Sequence, residues 1–314
     1  MSENFKSYNS ERTINELDDE SIETLTFISK LREKIANEGV DWIWKAKREL
    51  TDEEISSLLH GFDKKIMFTK NYFDQINIPD SENELLQHPE DLINLRKKYT
   101  QFIVDNLAIS VAGLTTEQKK DLSDKKAVYV KSLDANDRDY ESCIKGEKKA
   151  MYFDNLLYQA PSFKVSDNEG HIYTNIKFQD SFIHWRSNEY ARHRLGGDVP
   201  KLQYRIYLNP DSRNIVDVFQ KVIDEASANS LLMTCKVQDR ALELSDEYRR
   251  PNRIGMIRGD GIVVYLENKN DVQNMLNYLL QMYQDNPNFF INRKTNKIPQ
   301  PIVPGISLGD EPGI

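Results

Sequence analysis

The hydrophobic periodicity of this chain changes near residue 158, and that change constrains the fold more than any other feature. Before it, apolar residues recur every three or four positions, as they do in residues 92–107, which is the spacing of one helix face. After it, residues 202–208 alternate between the two faces of a strand. The sequence therefore predicts an α+β protein, with a helical N-terminal half followed by an α+β C-terminal domain.

The same patterns predict the domain organisation. Residues 1–20 are polar and are expected to form a disordered tail, and residues 21–157 are expected to form a helical region. Residues 158–296 are expected to form the α+β domain, with a loop at 187–200 that holds two glycines. Residues 297–314 carry four prolines and are expected to form an extended tail.

Local signals place the individual elements. Thr51 and Glu54 form a capping-box pattern that predicts a short helix. Thr116 indicates another helix start, and a further helix is expected around Tyr140. In the second half, strands are predicted at 162–166, 171–178, 182–186, 202–208, 231–237 and 262–267, and helices from 215 and from 270.

Charge and hydropathy exclude two classes of partner. The chain has 314 residues with a net charge of −8, so a global electrostatic grip on nucleic acid or on an anionic membrane is not expected. No run of roughly eighteen apolar residues predicts a membrane span, and the N-terminus has no apolar secretory signal. We therefore expect a cytoplasmic protein, with secretion by a signal-free route left open.

The sequence offers no pattern for a metal or a cofactor. Cys143 and Cys235 lie far apart, and histidines and acidic residues do not recur at the spacing of a zinc site. Phosphate-binding loops, dinucleotide fingerprints and nucleophile elbows are also missing. We expect no metal and no cofactor.

Arginine is concentrated in one part of the chain. Ten of the sixteen arginines fall between Arg186 and Arg258. Because the guanidinium group is a planar bidentate donor, this choice over lysine suits phosphate or carboxylate ligands. The alternative is a set of surface salt bridges.

Lys236 and two histidines are further candidates. Lys236 lies in an otherwise apolar predicted strand, where a lysine either lines a cleft, as a base or an anion ligand, or guards an edge strand against aggregation. His184 and His193 both neighbour arginines and are candidate proton donors. The alternative for each histidine is a structural or solvated side chain.

The order of elements from residue 202 to 280 resembles a known family. Six elements follow one another: a strand, an amphipathic helix, a strand with an embedded lysine, an arginine-bearing segment, a strand and a helix. This order is similar to that of the phosphothreonine lyase superfamily, and more closely to that of the HopA effector-type domain, which is also found in class V lanthipeptide synthetase lyases. The matching phrases are residues 204–210, 235–237, 249–250, 263–266 and 301–313.

The resemblance implies β-elimination of phosphate from a phosphorylated serine or threonine. By position, Lys236 resembles a lysine on the phosphate side, Arg253 a phosphate-binding arginine and Tyr265 a tyrosine of the site. The lyases carry Lys-x-His on the first strand as base and acid, whereas this chain has Gln203, Tyr204 and Arg205 there. We predict Lys236, Arg205, Lys201 and His184 as catalytic residues, and Arg253, Arg258, Arg205 and Tyr265 as phosphate-binding residues.

Two functions follow from these patterns. The first is a phosphoserine or phosphothreonine lyase-like protein that binds a phosphorylated peptide or protein, with a kinase as a partner, as in lanthipeptide dehydration. The second is a non-catalytic effector or partner-binding protein on the same scaffold. The arginines favour the first, and the departure at Gln203 and Arg205 favours the second.

Overall fold

A computed structural model describes residues 19–45, 85–147, 171–179, 182–249, 260–290 and 300–310. The predicted α+β class is confirmed: the described part of the first half is mainly helical, and most strands lie in the second half. The predicted strand at 162–166 and the helix predicted from Thr51 lie outside the described residues. The predicted domain boundaries stay a prediction.

The described part of the first half includes four helices and one strand. The third helix begins with Pro89, whose missing N–H costs nothing in a first helical turn. The fourth begins after Thr115, which forms a reciprocal capping box with Gln118. The bounds are α1 Asp19–Glu38, α2 Asp41–Lys45, α3 Pro89–Asn106, β1 Ile109–Ala112 and α4 Thr116–Ile144.

The second half holds the remaining elements in two antiparallel sheets. β1 and β2 form a two-stranded sheet, and the other strands form a seven-stranded sheet in the order β3-β4-β6-β7-β5-β9-β8. The strands are β2 His171–Thr174, β3 Ile176–Gln179, β4 Phe182–Arg186, β5 Tyr204–Leu208, β6 Met233–Gln238, β7 Ile262–Leu266, β8 Gln300–Val303 and β9 Ile306–Asp310. The helices are α5 Asn188–Leu195, α6 Ile215–Ala228, α7 Arg240–Arg249 and α8 Lys269–Asp285, with a 3-10 turn at Pro287–Phe289.

The large sheet has one apolar face, which forms the core. Residues directly opposite each other in an antiparallel pair share a face, and the apolar side chains of β5, β6 and β7 coincide in register. They pack in one cluster with the buried stripes of α6 and α8. The buried sheet residues of this face include Ile206, Leu208, Met233, Cys235, Val237, Ile262, Val264 and Leu266.

Several local elements differ from the sequence-based expectation. The predicted loop at 187–200 contains α5, because Ser187 caps a helix whose last turn is basic and which ends at Gly196. The predicted strand at 171–178 is divided at Asn175, whose side chain bonds the backbone of residues before β1. Residues 300–310, predicted as part of a tail, form the β8–β9 hairpin and lie in the large sheet next to β5.

A buried ion network joins the helical half to the large sheet. Arg96 of α3 is 1% exposed, and its Nη1 donates to Asp239 Oδ2 at 2.7 Å. Its Nε donates to Asp137 Oδ1 of α4 at 3.3 Å, an atom that also accepts from Thr100 Oγ1 at 2.7 Å. Asp239 follows β6 and caps α7 by accepting from the Leu242 N–H at 3.0 Å. One side chain therefore ties α3 to α4, β6 and α7.

We predict that Arg96→Met strongly destabilises the protein. The substitution leaves two buried carboxylates without their cation, so the free energy of unfolding should fall by about 3–5 kcal/mol. The matched control is Lys98→Met on the same helix, whose ion pair with Asp217 is exposed and screened by solvent. That variant should lose less than about 1 kcal/mol. Urea denaturation of both variants measures the difference, and equal losses would contradict the role given to Arg96.

We predict that Asp137→Asn changes how stability depends on pH. Burial raises the pKa of the Asp137 and Asp239 carboxyls above the ordinary value of 3.8, and Arg96 opposes the rise. A raised folded pKa contributes stability below the ordinary value, and that contribution is lost as pH rises through the folded pKa. Asparagine keeps the Oδ1 acceptor but does not titrate, so the variant should gain stability relative to the wild type as the pH rises from 3.8 through the raised pKa of Asp137. Thermal melts across that range test it, and parallel curves would refute it.

Candidate functional site

The face of the large sheet opposite the core carries a row of basic side chains. Lys177 of β3 lies directly opposite His184 of β4, which lies directly opposite Lys236 of β6. The row continues to Val263 of β7 and Tyr207 of β5. Neighbouring basic side chains repel one another when both are charged. The row is therefore suited to an anionic ligand.

A second row lies beside the first, two residues away on each of four strands, β4, β6, β7 and β5. Arg205 of β5 faces Tyr265 of β7, which faces Thr234 of β6, which in turn faces Arg186 of β4. All four side chains are half-buried. Together with Lys177, His184 and Lys236, the two arginines bring five basic residues to this face.

Aromatic rings hold the two central cations. The Lys236 ammonium lies 4.4 Å from the centre of the Phe182 ring, and the Arg205 guanidinium carbon lies 5.1 Å from the centre of the Tyr265 ring. Strand spacing and register separate the Cα atoms of Arg205 and Lys236 by about 12 Å. Because Phe182 belongs to β4, Lys236 leans away from Arg205. The two cations therefore hold two neighbouring positions on the face.

Tyr207 completes the Arg205 side of the face. Arg205 Nη1 donates to the Tyr207 hydroxyl at 3.4 Å, and the Tyr207 ring lies over Gly309 of β9. A Cβ atom at position 309 would meet Cε2 of that ring at 3.0 Å. The glycine therefore leaves the space that the ring needs.

Arg186 lies beside a small aromatic group at the end of β4. Its guanidinium carbon is 5.1 Å from the centre of the Tyr173 ring, and its Nη1 donates to the Thr174 carbonyl at 3.4 Å. Burial raises the pKa of Tyr173 to about 12, and the Arg186 charge opposes the rise. Tyr173 therefore keeps its proton at neutral pH and is available as a neutral hydrogen-bond donor.

The structure brings some of the predicted site residues together. Arg205, Lys236, Tyr265 and His184 share the polar face, as strand parity predicts. β6 lies between β4 and β7, so the alternative that Lys236 guards a sheet edge is wrong. The catalytic and phosphate-binding roles of these residues stay predictions.

Other predicted residues lie elsewhere or outside the described residues. Lys201 is exposed and precedes β5, which begins at Tyr204, so strand geometry does not align it with Arg205. Arg253 and Arg258 lie outside the described residues. His193 lies on α5, where its Nδ1 is 3.0 Å from Asp198 Oδ2 on the exposed surface.

The sequence prediction missed three residues of the polar face. Lys177 and Arg186 belong to the two basic rows, and Phe182 supports Lys236. The apolar neighbours of Lys177 in β3 indicate that it points away from the core. Its position opposite His184, however, depends on strand register, which a single sequence does not define.

Two further observations concern the described part of the chain. Its histidine, cysteine and acidic residues do not form a group of three or more that could hold a metal ion. Within the same ranges, the helices are too short or too polar to cross a bilayer.

Comparisons with known proteins add little to this geometry. No protein-family model matches the sequence, and no curated protein matches it. Among solved structures, the chain is similar to an effector protein from Pseudomonas syringae pv. tomato strain DC3000, with 12% sequence identity and a TM-score of 0.31 over 94% of this chain and 80% of that chain. A likeness of this size carries no argument about fold or function. The resemblance to the HopA effector-type domain stays a prediction.

We predict that Gly309→Ala displaces the Tyr207 ring. The new methyl group would lie 3.0 Å from the ring, and such overpacking costs about 1–3 kcal/mol. Gly196→Ala is the control, because its Cβ would meet its nearest atoms at 3.4 Å, an ordinary contact. Urea denaturation compares the two variants. Equal stability would show that the Tyr207 ring does not depend on Gly309.

Proposed function

We propose that the polar face of the large sheet binds the phosphorylated serine or threonine of a peptide or protein. The observation that supports this proposal is the gathering of Lys177, His184, Arg186, Arg205 and Lys236 on one face. A phosphate group offers the charge and the acceptor oxygens that such a surface attracts. Tyr265 and Phe182 limit the mobility of the two central cations.

In this proposal, the arginines clamp the phosphate. A guanidinium group donates two parallel hydrogen bonds to phosphate oxygens, and Arg205 lies on the face with Tyr265 behind it. Arg253 and Arg258 are proposed to complete the clamp. Lys236 supplies a point charge on the neighbouring strands.

The finer proposal is a lyase that eliminates the phosphate. A base removes the α-proton, the electrons of that C–H bond form a Cα=Cβ double bond, and the Cβ–O bond breaks. As that bond breaks, the leaving oxygen takes a proton from an acid, so phosphate departs as the hydrogen phosphate dianion and the other product is a dehydroamino acid residue. The base is Lys201, which is exposed ahead of β5 and would have to move toward the face. The acid is His184, directly opposite Lys236 across the strand pair, and Lys236 keeps its charge beside the phosphate.

A non-catalytic effector or partner-binding role is the second candidate function. It is favoured by the residues Gln203 and Arg205 at the positions where the lyases carry Lys-x-His. It is also favoured by the exposed position of Lys201 ahead of β5. In this case the face holds a phosphorylated partner without changing it.

Both versions require a partner that phosphorylates the ligand. We propose that a protein kinase supplies the phosphoserine or phosphothreonine, as the resemblance to lanthipeptide lyases implies. We also propose that binding takes place in the cytoplasm, where kinase and nucleotide are present.

We predict that Lys236→Ala and Arg205→Ala each weaken the binding of a phosphothreonine peptide by about tenfold or more. A hydrogen bond to a charged group contributes about 1.5–3 kcal/mol, which corresponds to that factor. Fluorescence anisotropy of a labelled peptide measures the affinity. Lys221→Ala on α6 is the matched control, because this lysine is exposed on a helix that packs on the opposite face.

Mass spectrometry of the incubated peptide separates the two versions of the proposal. Loss of the elements of phosphoric acid, abolished in His184→Ala, would establish elimination. Binding without mass loss would leave the partner-binding role. If the wild type bound phosphorylated and unphosphorylated peptides equally weakly, the proposed function would be wrong.

A further inference from the structure

The side-chain amide of Gln238 is buried on the polar face without a hydrogen-bond partner. Gln238 is 0% exposed, and among the described residues neither Nε2 nor Oε1 has a partner. A buried polar group in this condition costs about 1–3 kcal/mol. The hydrogen bonds of such an amide are satisfied by a ligand group or by a water molecule, or the amide is left unpaired for a functional reason.

Register places this amide beside the basic row. Gln238 lies opposite Phe182 in the β4–β6 pair, and it is two residues from Lys236 on the same strand. The three side chains therefore share one face. The Phe182 ring contacts the Lys236 ammonium at 4.4 Å, so the amide lies next to the cation–π contact that borders the basic row.

The backbone of Gln238 is fixed from two sides. Its N–H donates to the Gly261 carbonyl at 2.8 Å, and its carbonyl accepts from the Tyr99 hydroxyl at 2.6 Å. Tyr99 is itself fully buried in α3. The amide is thus held on a rigid support, which lowers the entropic cost of binding a ligand group.

The chemistry of the amide defines the group that satisfies it. A carboxamide has one acceptor oxygen and a donor nitrogen, so it pairs with a group that also has both. A peptide main chain has an N–H and a C=O at each residue, whereas a phosphate dianion has acceptors alone. A main-chain amide beside the phosphorylated residue matches Gln238, and the phosphate itself does not.

We propose that Gln238 binds a main-chain amide of the ligand, next to the phosphate held by the basic rows. This inference rests on the proposed function and narrows its ligand to a peptide or protein segment, as distinct from a small phosphorylated metabolite. The main chain enters between Phe182 and Lys236. Their contact is a cation–π contact on a flexible lysine stem, which opens more easily than apolar packing.

The test compares two ligands on Gln238→Met, which keeps the length of the side chain and removes its polar atoms. Affinity for a phosphothreonine peptide should fall about tenfold, as expected for the loss of two neutral hydrogen bonds. Affinity for inorganic phosphate, measured by competition of phosphate against the peptide, should not change. An unchanged phosphate affinity shows that the variant is folded. Gln203→Met is the control, because Gln203 is exposed before β5.

A second experiment changes the ligand in place of the protein. N-methylation of the main-chain amides on either side of the phosphothreonine removes donors without changing the phosphate. One of these peptides should bind the wild type about tenfold more weakly, and the same methyl group should have little further effect on Gln238→Met.

The outcomes separate the two proposals. Wild-type protein that binds neither inorganic phosphate nor phosphopeptide would overturn the proposed function and this inference together. Wild-type protein that binds the phosphopeptide, combined with unchanged affinity in Gln238→Met and for both N-methylated peptides, would overturn the inference alone. In that case the amide has a structural role, and a buried water molecule satisfies its hydrogen bonds.

Discussion

The ion pair between Arg96 and Asp239 is the interaction on which the arrangement of the two halves depends. It joins α3 to the end of β6, and Asp137 extends it to α4. A buried charge is tolerated only when it is paired and hydrogen-bonded. The helices and the sheet therefore take the relative position in which Arg96 meets both carboxylates. Apolar packing is less directional and is compatible with that position.

Five consecutive residues at the end of β6 connect this network to the polar face. Val237 is buried in the core, while Lys236 and Gln238 point to the opposite face. Asp239 holds Arg96, and Arg240 is buried with its Nη2 donating to Asn209 Oδ1 at 3.2 Å. The strand that carries the candidate site is thus anchored by buried polar contacts, among them one that joins the two halves. A ligand on the polar face acts on a position that the helical half already fixes.

The sequence shows which side chains lie on each face of this sheet more clearly than it shows which residues of other strands lie beside them. Alternation places Arg205 away from Ile206, and Lys236 away from Cys235, and both assignments agree with the structure. Periodicity also identifies the longer helices α6 and α8, because each buries a continuous apolar stripe. These signals are local, and a single sequence contains them in full.

The features that the sequence does not show are the non-local ones. Lys177 joins Lys236 through His184 only because β3 pairs with β4 and β4 with β6 in one register. The sequence predicts a loop where α5 lies, because these eight residues carry no apolar stripe and bury only Ala191. The cap at Ser187 and the basic last turn are enough to form the helix. Arg96 and Asp239 are separated by more than a hundred positions, and the residues around each of them do not indicate that the two side chains pair.

The place of the β8–β9 hairpin has a consequence for how the chain folds. Arg205 pairs with Gly309 across about a hundred residues, and pairings of such high contact order form slowly because a long loop must close first. During synthesis, one edge of β5 stays unpaired until residues 306–310 have left the ribosome. An unpaired strand edge is a template for association with other chains. The β5 edge is therefore exposed to association between chains until the β8–β9 hairpin pairs with it, although β6 and β7 can already assemble beside β5.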